Sequence, residues 1–396
     1  MKKGWTYKKL GEVGTFIRGG GFLKKDYVEN GIPCIHYGQI HTVLGTVTKE
    51  HLTSIPESLR GKTRFASKGD IIFAITSEDV EGSCKCTAWL GDYDVAVGGH
   101  AAIYKHSLFP AYVSYFAKSP YFYKAKEKYV HGFKVMEIKP SDIAQIDIPV
   151  PSMQEQKRIV ERLDAAFEQI DELKANAEKQ LAEARALFQK SLAKAMEPKE
   201  GWEEKTLKET CSVITDGTHH SPINLPNGKY KYVTAKNIKP WGLDLSNLTF
   251  VTEEVHKEIV SRCCPQKGDV LYIKDGATTG IAIVNPLDEE FSMLSSVALI
   301  RPIKDVLLSK YLCYALNSPS IYEQTRSQMD GAAITRVTLV KIKGFTIPIP
   351  PLSEQQRIVE RLDSISENVL KYEEIQRKII AECDALKQAL LRQVFE

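Results

Sequence analysis

The sequence predicts an α+β protein in which two pseudo-symmetric, strand-rich globular domains are joined by two long helices that form an antiparallel coiled coil. Three observations predict this fold class. The sequence repeats itself at an offset of 199 residues, each repeat mixes short β-type runs with a helical segment, and each repeat ends in a long stretch without Gly or Pro. The predicted divisions are a globular domain at 1–151, a helix at 152–197, a second domain at 198–350 and a second helix at 351–396.

The repeat is strongest at the junction between each globular domain and its helix. Ile148–Asp164 reads IPVPSMQEQKRIVERLD and Ile347–Asp363 reads IPIPPLSEQQRIVERLD, so twelve of seventeen positions are identical. Unrelated amphipathic segments do not share this much sequence, which indicates an internal duplication. Other matched positions are Lys68-Gly69-Asp70 with Lys267-Gly268-Asp269, Ser119-Pro120 with Ser318-Pro319, Gly132 with Gly331 and, at an offset of 197, Gly4-Trp5 with Gly201-Trp202.

Each globular domain is predicted to combine strands with a later helical segment. Asp70–Ile75 and Asp269–Ile273 are β-type runs that each follow a Lys-Gly turn. Helical segments are predicted at Phe109–Lys128 and Leu307–Gln328. The loops between corresponding elements diverge completely, as in EGSCKCTAWLGDYD against IAIVNPLDEEFSM. One scaffold with two different sets of loops suggests two different ligands.

Both long helices have a recognisable start and one apolar face. Ser152 with Glu155, and Ser353 with Gln356, have the spacing of a capping box. Each helix can run for about forty residues, on the order of 60 Å. A four-three alternation of apolar residues defines one seam in each helix. The seam residues are Ile159, Leu163, Ala166, Ile170, Leu173 and Ala177 in the first helix, and Ile358, Leu362, Ile365, Val369, Tyr372, Ile379, Cys383, Leu386 and Leu390 in the second.

The flanks of both seams are polar, so an isolated helix would leave an apolar stripe in water. We therefore expect the two helices to pack on each other. An antiparallel pair would place the globular domains at opposite ends and would fix the distance between them. Plain oligomerisation helices, with no measuring role, are the alternative.

Composition fits ordinary globular material of two or three domains, with 396 residues, 43% hydrophobic and 26% charged. The N-terminal stretch MKKGWTYKKLGEV has no apolar run that could serve as a signal peptide, and no segment approaches the ~20 apolar residues that span a bilayer. We therefore expect a cytoplasmic protein.

The net charge of +3 is small, but the positive charge is unevenly distributed. Lys and Arg outnumber Asp and Glu by 20 to 15 in residues 1–151 and by 18 to 17 in 198–350. The helical stretches contain 8 against 9 and 7 against 9. The positive excess therefore lies in the globular parts, which is compatible with phosphate contact there.

The cysteine pattern predicts no structural metal. None of the eight cysteines falls in the CxxC spacing of a zinc or dithiol site, and most are expected to be buried small apolar residues. Cys84 and Cys86 would point the same way on a strand, which leaves a metal pair open as the alternative. The cysteines are Cys34, Cys84, Cys86, Cys211, Cys263, Cys264, Cys313 and Cys383.

Motifs of catalytic and nucleotide-binding sites are absent from the sequence. Gly61-Lys62-Thr63 resembles the end of a phosphate-binding loop, but Pro56 occupies the place of its first glycine. Asn317-Ser318-Pro319-Ser320 fails at two positions of the tetrapeptide that amino-methyltransferases use. The adjacent His219 and His220 would point to opposite faces of a strand, which favours a surface turn over metal ligation. The sequence therefore predicts a chain without a catalytic site or a bound cofactor.

These features together resemble the specificity (S) subunits of type I restriction-modification enzymes, over essentially the whole chain. The residues that carry the resemblance are the paired Gly-Trp, Lys-Gly-Asp and IPVP/IPIP elements, and above all EQxRIVERLD, which starts at Glu155 and at Glu354. One departure is that Lys274-Asp275-Gly276 through Gly280 fits the family pattern, whereas the first copy reads Thr76-Ser77-Glu78 and keeps only Gly82.

The resemblance implies that both globular domains are target recognition domains, each reading one half of a bipartite DNA sequence. The helices would be spacers that set the gap between the half-sites and dock two modification subunits, which carry S-adenosylmethionine and methylate adenine. A restriction and translocase subunit, which needs ATP and magnesium, would cleave DNA. The sequence does not separate this organisation from a methyltransferase-nuclease fusion partner.

Two other classes of function remain to be weighed. A coiled-coil scaffold whose globular ends bind proteins predicts affinities that do not depend on DNA sequence or salt. An enzyme acting alone would require S-adenosylmethionine bound to the single chain, which the missing motifs disfavour.

The candidate DNA-binding residues lie in the Gly-rich and polar loops of both domains. Their side chains can donate to phosphates or read base edges, and Gln39 and Asn237 are of the types that pair bidentately with adenine. An ordinary solvated loop is the alternative for each of them. The candidates are Arg18, Lys24, Lys25, His36, Tyr37, Gln39, Thr76, Ser77, His100 and Lys134 in the first domain, and Thr218, His219, His220, Lys236, Asn237, Lys274, Thr278 and Arg336 in the second.

Overall fold

A computed structural model describes residues 4–329 and 336–396, so Gly331 of the predicted repeat lies outside the described residues. The chain forms two compact units, Met1–Glu178 with Arg377–Glu396, and Lys179–Gln376. Each unit contains one globular domain and a segment of both long helices. The sequence-based division treated the helices as separate segments, whereas in the structure their apolar residues help to form the cores of the domains.

The first globular domain contains fourteen strands and five short helices among its described residues. The strands are β1 (Thr6–Lys9), β2 (Gly14–Arg18), β3 (Ile32–Ile35), β4 (Val47–Thr48), β5 (Thr53–Ile55), β6 (Arg64–Ala66), β7 (Ile71–Ala74), β8 (Thr76–Ser77), β9 (Cys86–Trp89), β10 (Val95–Val97), β11 (Ala101–His106), β12 (His131–Gly132), β13 (Met136–Glu137) and β14 (Asp147–Val150). The helices are α1 (Leu10–Val13), α2 (Tyr37–Thr42), α3 (Pro110–Phe116), α4 (Pro120–Glu127) and α5 (Pro140–Ile143).

Two sheets form the body of this domain. The larger has the strand order β2-β11-β7-β9-β4, and the second has the order β5-β3-β10-β6. Strand β7 is buried on both faces, which explains its continuous apolar sequence. Ile71 and Phe73 join a core with α3, α4 and the long helices, while Ile72 and Ala74 join a core that also contains Ile35 of β3.

The second globular domain repeats this arrangement with fewer strands. Its strands are β15 (Glu203–Thr206), β16 (Cys211–Asp216), β17 (Tyr230–Val233), β18 (Ile238–Lys239), β19 (Gly242–Leu243), β20 (Thr249–Val251), β21 (Val270–Ile273), β22 (Ala282–Val284), β23 (Ser292–Met293), β24 (Val297–Pro302) and β25 (Thr346–Ile349). The short helices are α7 (Leu207–Thr210), α8 (Glu253–Arg262), α9 (Ser309–Leu316), α10 (Pro319–Ser327) and α11 (Leu339–Lys343).

The strand order shows that the duplication extends to topology. The sheet β16-β24-β21-β22 matches β2-β11-β7-β9, and β20-β17-β23 matches β5-β3-β10. The pairing directions also match, because β3 with β10 and β17 with β23 are parallel, whereas the matched strands of the larger sheets pair antiparallel. The predicted strand-rich α+β domain, present twice, is confirmed.

Each predicted helical segment in the globular domains consists of two helices. Ser119 and Ser318 interrupt them, because each serine caps the helix that begins at the following proline. The Ser119 Oγ accepts a hydrogen bond from the Phe122 N–H at 3.2 Å. The predicted helical segments are therefore confirmed, each as a pair of helices that meet at a serine.

The two long helices are α6 (Met153–Ala195) and α12 (Leu352–Phe395). In the first unit, Lys174 Nζ lies 2.7 Å from Asp384 Oδ1, and Lys387 also pairs with Asp171. In the second unit, Arg185 Nε lies 2.8 Å from Glu373 Oε1. Partner numbers fall along one helix as they rise along the other, so the pairing is antiparallel, as predicted.

The predicted start and seam of these helices need correction. Ser152 caps α6 through the Glu155 N–H at 3.3 Å, but Ser353 lies inside α12, where Pro351 holds the position equivalent to Ser152. Three predicted seam residues have side chains that are 38–52% exposed. They are Leu173, Tyr372 and Leu386, although the Tyr372 hydroxyl still donates to Gln180 Oε1 of the other helix at 2.6 Å.

The repeated EQ pair of the sequence joins each domain to its helix. The buried Gln156 side chain accepts a hydrogen bond from the Phe109 N–H at 2.8 Å and donates to the Pro151 carbonyl at 2.9 Å. Gln355 forms the equivalent bonds with the Leu308 N–H and the Pro350 carbonyl, both at 2.9 Å. The duplicated sequence is thus the joint that both units need.

Two further repeated contacts hold the helices against the domains. Tyr115 Oη donates to Asp164 Oδ1 at 2.5 Å, and Tyr314 Oη donates to Asp363 Oδ1 at 2.8 Å. The neighbouring Ile-Val and Leu residues of each motif are buried in the domain cores. Among the residues that the structure describes, no helix is long and apolar enough to cross a membrane.

Candidate nucleic-acid interface

Four loops of the first domain meet at one edge of its sheets. They follow β2, β3 and β7 and connect β10 with β11. Backbone hydrogen bonds tie them together, including Gly20 N–H to the Val97 carbonyl at 2.8 Å and Ile75 N–H to the His100 carbonyl at 3.0 Å. A Cβ on Gly19 would lie 2.2 Å from the Gly98 carbonyl oxygen, so this close approach requires glycine. We call this set of loops the first edge.

Aromatic and histidine rings cover part of the first edge. The Tyr37 ring lies 5.1 Å from the His100 ring, and the Tyr27 ring stacks on the His36 ring at 5.0 Å. Burial, with a smaller contribution from Lys24, lowers the pKa of His36. This imidazole is therefore mainly neutral at pH 7, with one nitrogen donor and one acceptor that can pair with base edges.

Basic side chains stand beside these rings. Arg18 donates from Nε to the Gly99 carbonyl at 3.1 Å and from Nη2 to Glu137 Oε1 at 2.9 Å, which fixes its guanidinium across the edge. Lys24 and Lys25 are exposed on a 3-10 turn, and Lys134 is exposed in the loop between β12 and β13. These cations can contact phosphates without losing a buried partner.

Thr76 and Ser77 are also at the first edge, but both are buried in β8, which pairs with β13. The Thr76 carbonyl lies 2.9 Å from His41 Nε2, while its hydroxyl has no hydrogen-bond partner among the described residues. These two residues connect the loop after β7 to the hairpin of β12 and β13. Their buried position favours shaping of the edge over direct contact with DNA.

Gln39 and Asn237 occupy equivalent buried positions in the two domains. Gln39 accepts from the His36 N–H at 3.1 Å and donates to Thr53 Oγ1 at 3.2 Å. Asn237 accepts from the Thr234 N–H at 3.0 Å and donates to the Asp244 carbonyl at 3.2 Å. Both amides cap a turn inside the fold, so the structure favours a loop-positioning role over the adenine contact expected from residue type.

The second domain has a corresponding edge at the ends of β16, β17 and β21, which we call the second edge. Its centre is the buried carboxylate of Asp216, near which two cationic groups and one imidazole converge. Lys274 Nζ lies 3.5 Å away, Arg262 Nη2 lies 3.6 Å away and His219 Nε2 lies 3.3 Å away. Lys274 is itself buried and also lies 3.3 Å from Asp275, so its charge is balanced by the carboxylates of Asp216 and Asp275.

The other candidates of the second edge are accessible. His219, His220, Lys236, Thr278 and Arg336 are exposed, and Thr218 is half-buried in a bridge with Leu294. The backbones of Arg336 and Asp275 form an isolated antiparallel β-bridge. Glu137 and Thr76 are the equivalent backbone pair in the first domain.

Equivalent positions of the two edges carry opposite charges. Arg18 ends β2 and Asp216 ends β16, while Glu137 corresponds to Arg336 at the 199-residue offset. Sequence reasoning missed Glu137 and Asp216 because it looked only for donors to DNA, and it missed Arg262 because this residue ends α8 and lies outside the Gly-rich loops. Comparing the repeats at the 199-residue offset would have found Glu137 opposite Arg336. Two edges with one backbone plan and opposite charges can select different ligands.

Among the described residues, the cysteines do not form a metal site. No group of three or more His, Cys, Asp or Glu residues that could hold a metal ion is found there either. Cys84 lies in a turn with φ of 61° before β9, so it does not share a strand face with Cys86. Burial raises the pKa of both thiols to about 12. Both are therefore protonated at neutral pH, which disfavours metal binding.

Comparison with protein families gives a match over most of the chain. The model described as the type I restriction modification DNA specificity domain matches twice, at residues 2–183 and 199–381. The two matched ranges correspond to the two halves of the internal duplication.

Curated relatives and solved structures agree with this match. The chain is 23% identical to the EcoKI specificity subunit of Escherichia coli K12 and 22% identical to the StySPI specificity subunit of Salmonella potsdam, covering 100% of this chain and 89% of each relative. A chain from a structure of type I restriction-modification complex assembly and conformational transition superposes with a TM-score of 0.80 at 22% identity, covering 100% of this chain and 98% of that one. The HsdS subunit from Thermoanaerobacter tengcongensis gives a TM-score of 0.58 at 20% identity, covering 100% and 97%.

Proposed function

The chain belongs to the family of type I restriction modification DNA specificity domains, and we propose that each of its two domains reads one half of a bipartite DNA sequence. The observation that carries this proposal is the pair of equivalent edges with opposite charges at matched positions. Arg18 and Glu137 on the first edge correspond to Asp216 and Arg336 on the second. Because base edges are distinguished by their donors and acceptors, such edges read different bases.

The reading surface of the first edge consists of Arg18, His36, Tyr37 and His100, with Lys24, Lys25 and Lys134 toward phosphates. On the second edge it consists of exposed His219, His220, Lys236, Thr278 and Arg336. Gln39, Asn237, Thr76, Ser77 and Lys274 shape the loops from inside. Phosphate contacts set the position of each domain, and the exposed polar groups and rings supply the sequence preference.

The long helices set the gap between the half-sites. Helix α6 is continuous from Met153 to Ala195 and links the two domains along the chain. We propose to test this by inserting one heptad after Glu178 and one after Gln376, which preserves the seam and adds about 10 Å. The gap should grow by about three base pairs at 3.4 Å each, with the same bases read. A gap of unchanged length would contradict this role.

The same helices dock modification subunits through exposed apolar side chains. In the first unit these are Leu173 on α6 and Leu386 on α12. In the second unit they are Leu187, Leu370 and Ile375. In this proposal they contribute to one contiguous apolar patch on each unit, and such a patch would mark a protein interface. Two equivalent units supply two docking surfaces, hence two modification subunits.

Chemistry is assigned to the partners and recognition to this chain. The modification subunits bind S-adenosylmethionine and methylate adenine, and a restriction subunit uses ATP and magnesium for translocation and cleavage. The assembly acts on DNA in the cytoplasm. The scaffold alternative is not retained, because the family match covers both halves of the chain.

The experiment that tests half-site assignment is an exchange of one recognition domain. The complex of the full chain with its modification subunits selects sites from a random duplex library, and a variant with residues 1–151 replaced by the first domain of another specificity subunit does the same. One half of the selected motif should change, while the other half and the gap should stay. A change in both halves, or the absence of any split motif, would refute the assignment.

A further inference from the structure

The loop between β12 and β13 of the first domain holds an aromatic ring in solvent. The side chain of Phe133 is 92% exposed, and that of Val135 is 58% exposed. We propose that Phe133 inserts between two base pairs of the half-site read by the first domain and acts as a stacking wedge there. This inference rests on the proposed function, since it assigns one residue a contact within that half-site.

The hairpin that carries Phe133 is fixed at its base. Gly132 has φ of +144°, and a Cβ there would lie 2.0 Å from the Val135 carbonyl oxygen, so the turn requires glycine. Strand β13 pairs with β12 on one side and with β8 on the other. The next residue, Ile138, is fully buried and donates its N–H to the Ile75 carbonyl at 3.0 Å. The ring is therefore presented from a rigid support.

The hairpin belongs to the first edge. Glu137 at its base pairs with Arg18 at 2.9 Å, and Arg18 also donates to the Gly99 carbonyl at 3.1 Å. Met136 and Glu137 lie opposite Ser77 and Thr76 in the sheet. A DNA duplex seated on the loops after β2 and β7 therefore lies within reach of the hairpin.

The positive charge of the residues near Phe133 in the sequence favours binding of a polyanion such as DNA. Residues 128–139 include Lys128, Lys134 and Lys139 against a single acid, Glu137, whose charge is matched by Arg18. Lys134 is adjacent to Phe133 and exposed. Phosphate contacts from such lysines hold the backbone of DNA against the protein while an apolar side chain enters the stack.

The chemistry of the ring fits a base step. Aromatic side chains stack on bases of any identity, and phenylalanine wedges partly unstack and kink a duplex. A flexible pyrimidine–purine step would be the easiest to open. In the sequence of the second repeat the equivalent position is Ala332, which lies outside the described residues. The wedge is therefore assigned to the first half-site alone.

The test uses the complex of the full chain with its modification subunits and a duplex that contains the selected site. 2-Aminopurine is placed in turn at each position of the first half-site, because its fluorescence rises when stacking is lost. Apart from the adenine to be methylated, which a methyltransferase itself extrudes from the stack, the wild-type complex should raise the fluorescence at one step. Phe133→Ala should abolish this rise and weaken binding to the site by about 5- to 150-fold, the range for loss of one base–aromatic stack. Phe133→Trp should preserve both.

Matched variants of the same hairpin separate the wedge from a general effect. Val135→Ala removes a neighbouring exposed apolar side chain and should change neither readout. Lys134→Ala should weaken binding to all duplexes and lower the salt dependence while leaving the fluorescence rise in place. If Phe133→Ala keeps the rise and the wild-type affinity, the wedge is refuted and the proposed function stands. If the wild-type complex shows no preference for any split site, both are overturned.

Discussion

The joint between the first domain and α6 depends on one glutamine, and its replacement gives a quantitative prediction. Gln156→Ala removes two hydrogen bonds, a part-buried one from the Phe109 N–H at 2.8 Å and a buried one to the Pro151 carbonyl at 2.9 Å. Each orphaned backbone group costs about 1–3 kcal/mol when it stays buried. We therefore expect the joint to be destabilised by about 2–6 kcal/mol, since both groups lose their partner.

Hydrogen exchange of the full chain measures this local effect. The peptide Ser107–Phe116, which contains the Phe109 amide, should exchange at least about tenfold faster in Gln156→Ala. Gln154→Ala is the matched control, because Gln154 is exposed on the same turn of the helix, and it should change stability by less than about 0.5 kcal/mol.

The equivalent substitution in the second unit extends the test. Gln355 contacts the Leu308 N–H and the Pro350 and Val306 carbonyls, each at 2.9 Å. Gln355→Ala should therefore affect its own unit at least as strongly as Gln156→Ala affects the first. Exchange in Ser107–Phe116 that is the same in Gln156→Ala as in the wild type would refute the assignment of the joint.

Three further predictions concern single residues. Burial lowers the pKa of His106 to about 4, below the value of about 6.5 in an unfolded chain. The unfolded state therefore binds the proton first as pH falls, and the first unit should lose about 2–3 kcal/mol between pH 6.5 and pH 4. Urea unfolding against pH should show a shallower loss for His106→Asn, and an identical slope would contradict this. Gly268 has φ of +90°, so Gly268→Ala should destabilise the second unit by about 1–2 kcal/mol in thermal unfolding, and an unchanged Tm would count against it. Arg301 donates twice to the buried Asp269 at 2.7 Å, so Arg301→Met should cost at least about 2 kcal/mol in urea unfolding, whereas a cost below about 0.5 kcal/mol would show that the pair is dispensable.

The duplicated plan was predictable from sequence because identical residues serve identical joints. Gln156 and Gln355 are matched in the repeat and make the same contacts with their domains. The aspartates at the end of the motif do likewise with Tyr115 and Tyr314. Residues that both domains use in the same way are shared by the two repeats, so a comparison of the sequence with itself reveals them.

The helix seam was predicted only in part. Ile159, Leu163 and Ile170 are buried as expected, whereas Leu173 is exposed. Apolar periodicity identifies the stripe of a helix that packs on its partner but not the width of that stripe. Here Lys174, the residue next to Leu173, makes the contact with Asp384 of the other helix. Which apolar residue faces outward depends on the neighbouring helix, which local sequence does not record.

The candidate site was less predictable for a similar reason. Gln39, Asn237 and Lys274 are polar residues in Gly-rich loops, yet each is buried and engaged within the fold. A polar side chain in a loop can face either the interior or the solvent, and the choice depends on distant strands. Phe133 shows the converse case, since an apolar residue of the loop lies in solvent.

The central claim is that this chain directs methylation to a split DNA sequence. The most direct measurement is a map of methyladenine in the genome of cells that express the chain with its modification subunit, against cells that express the modification subunit alone. The account predicts methyladenine at a two-part motif with a fixed gap only when the chain is present. Identical maps, with the modification subunit shown to be active beside another specificity subunit, would contradict it.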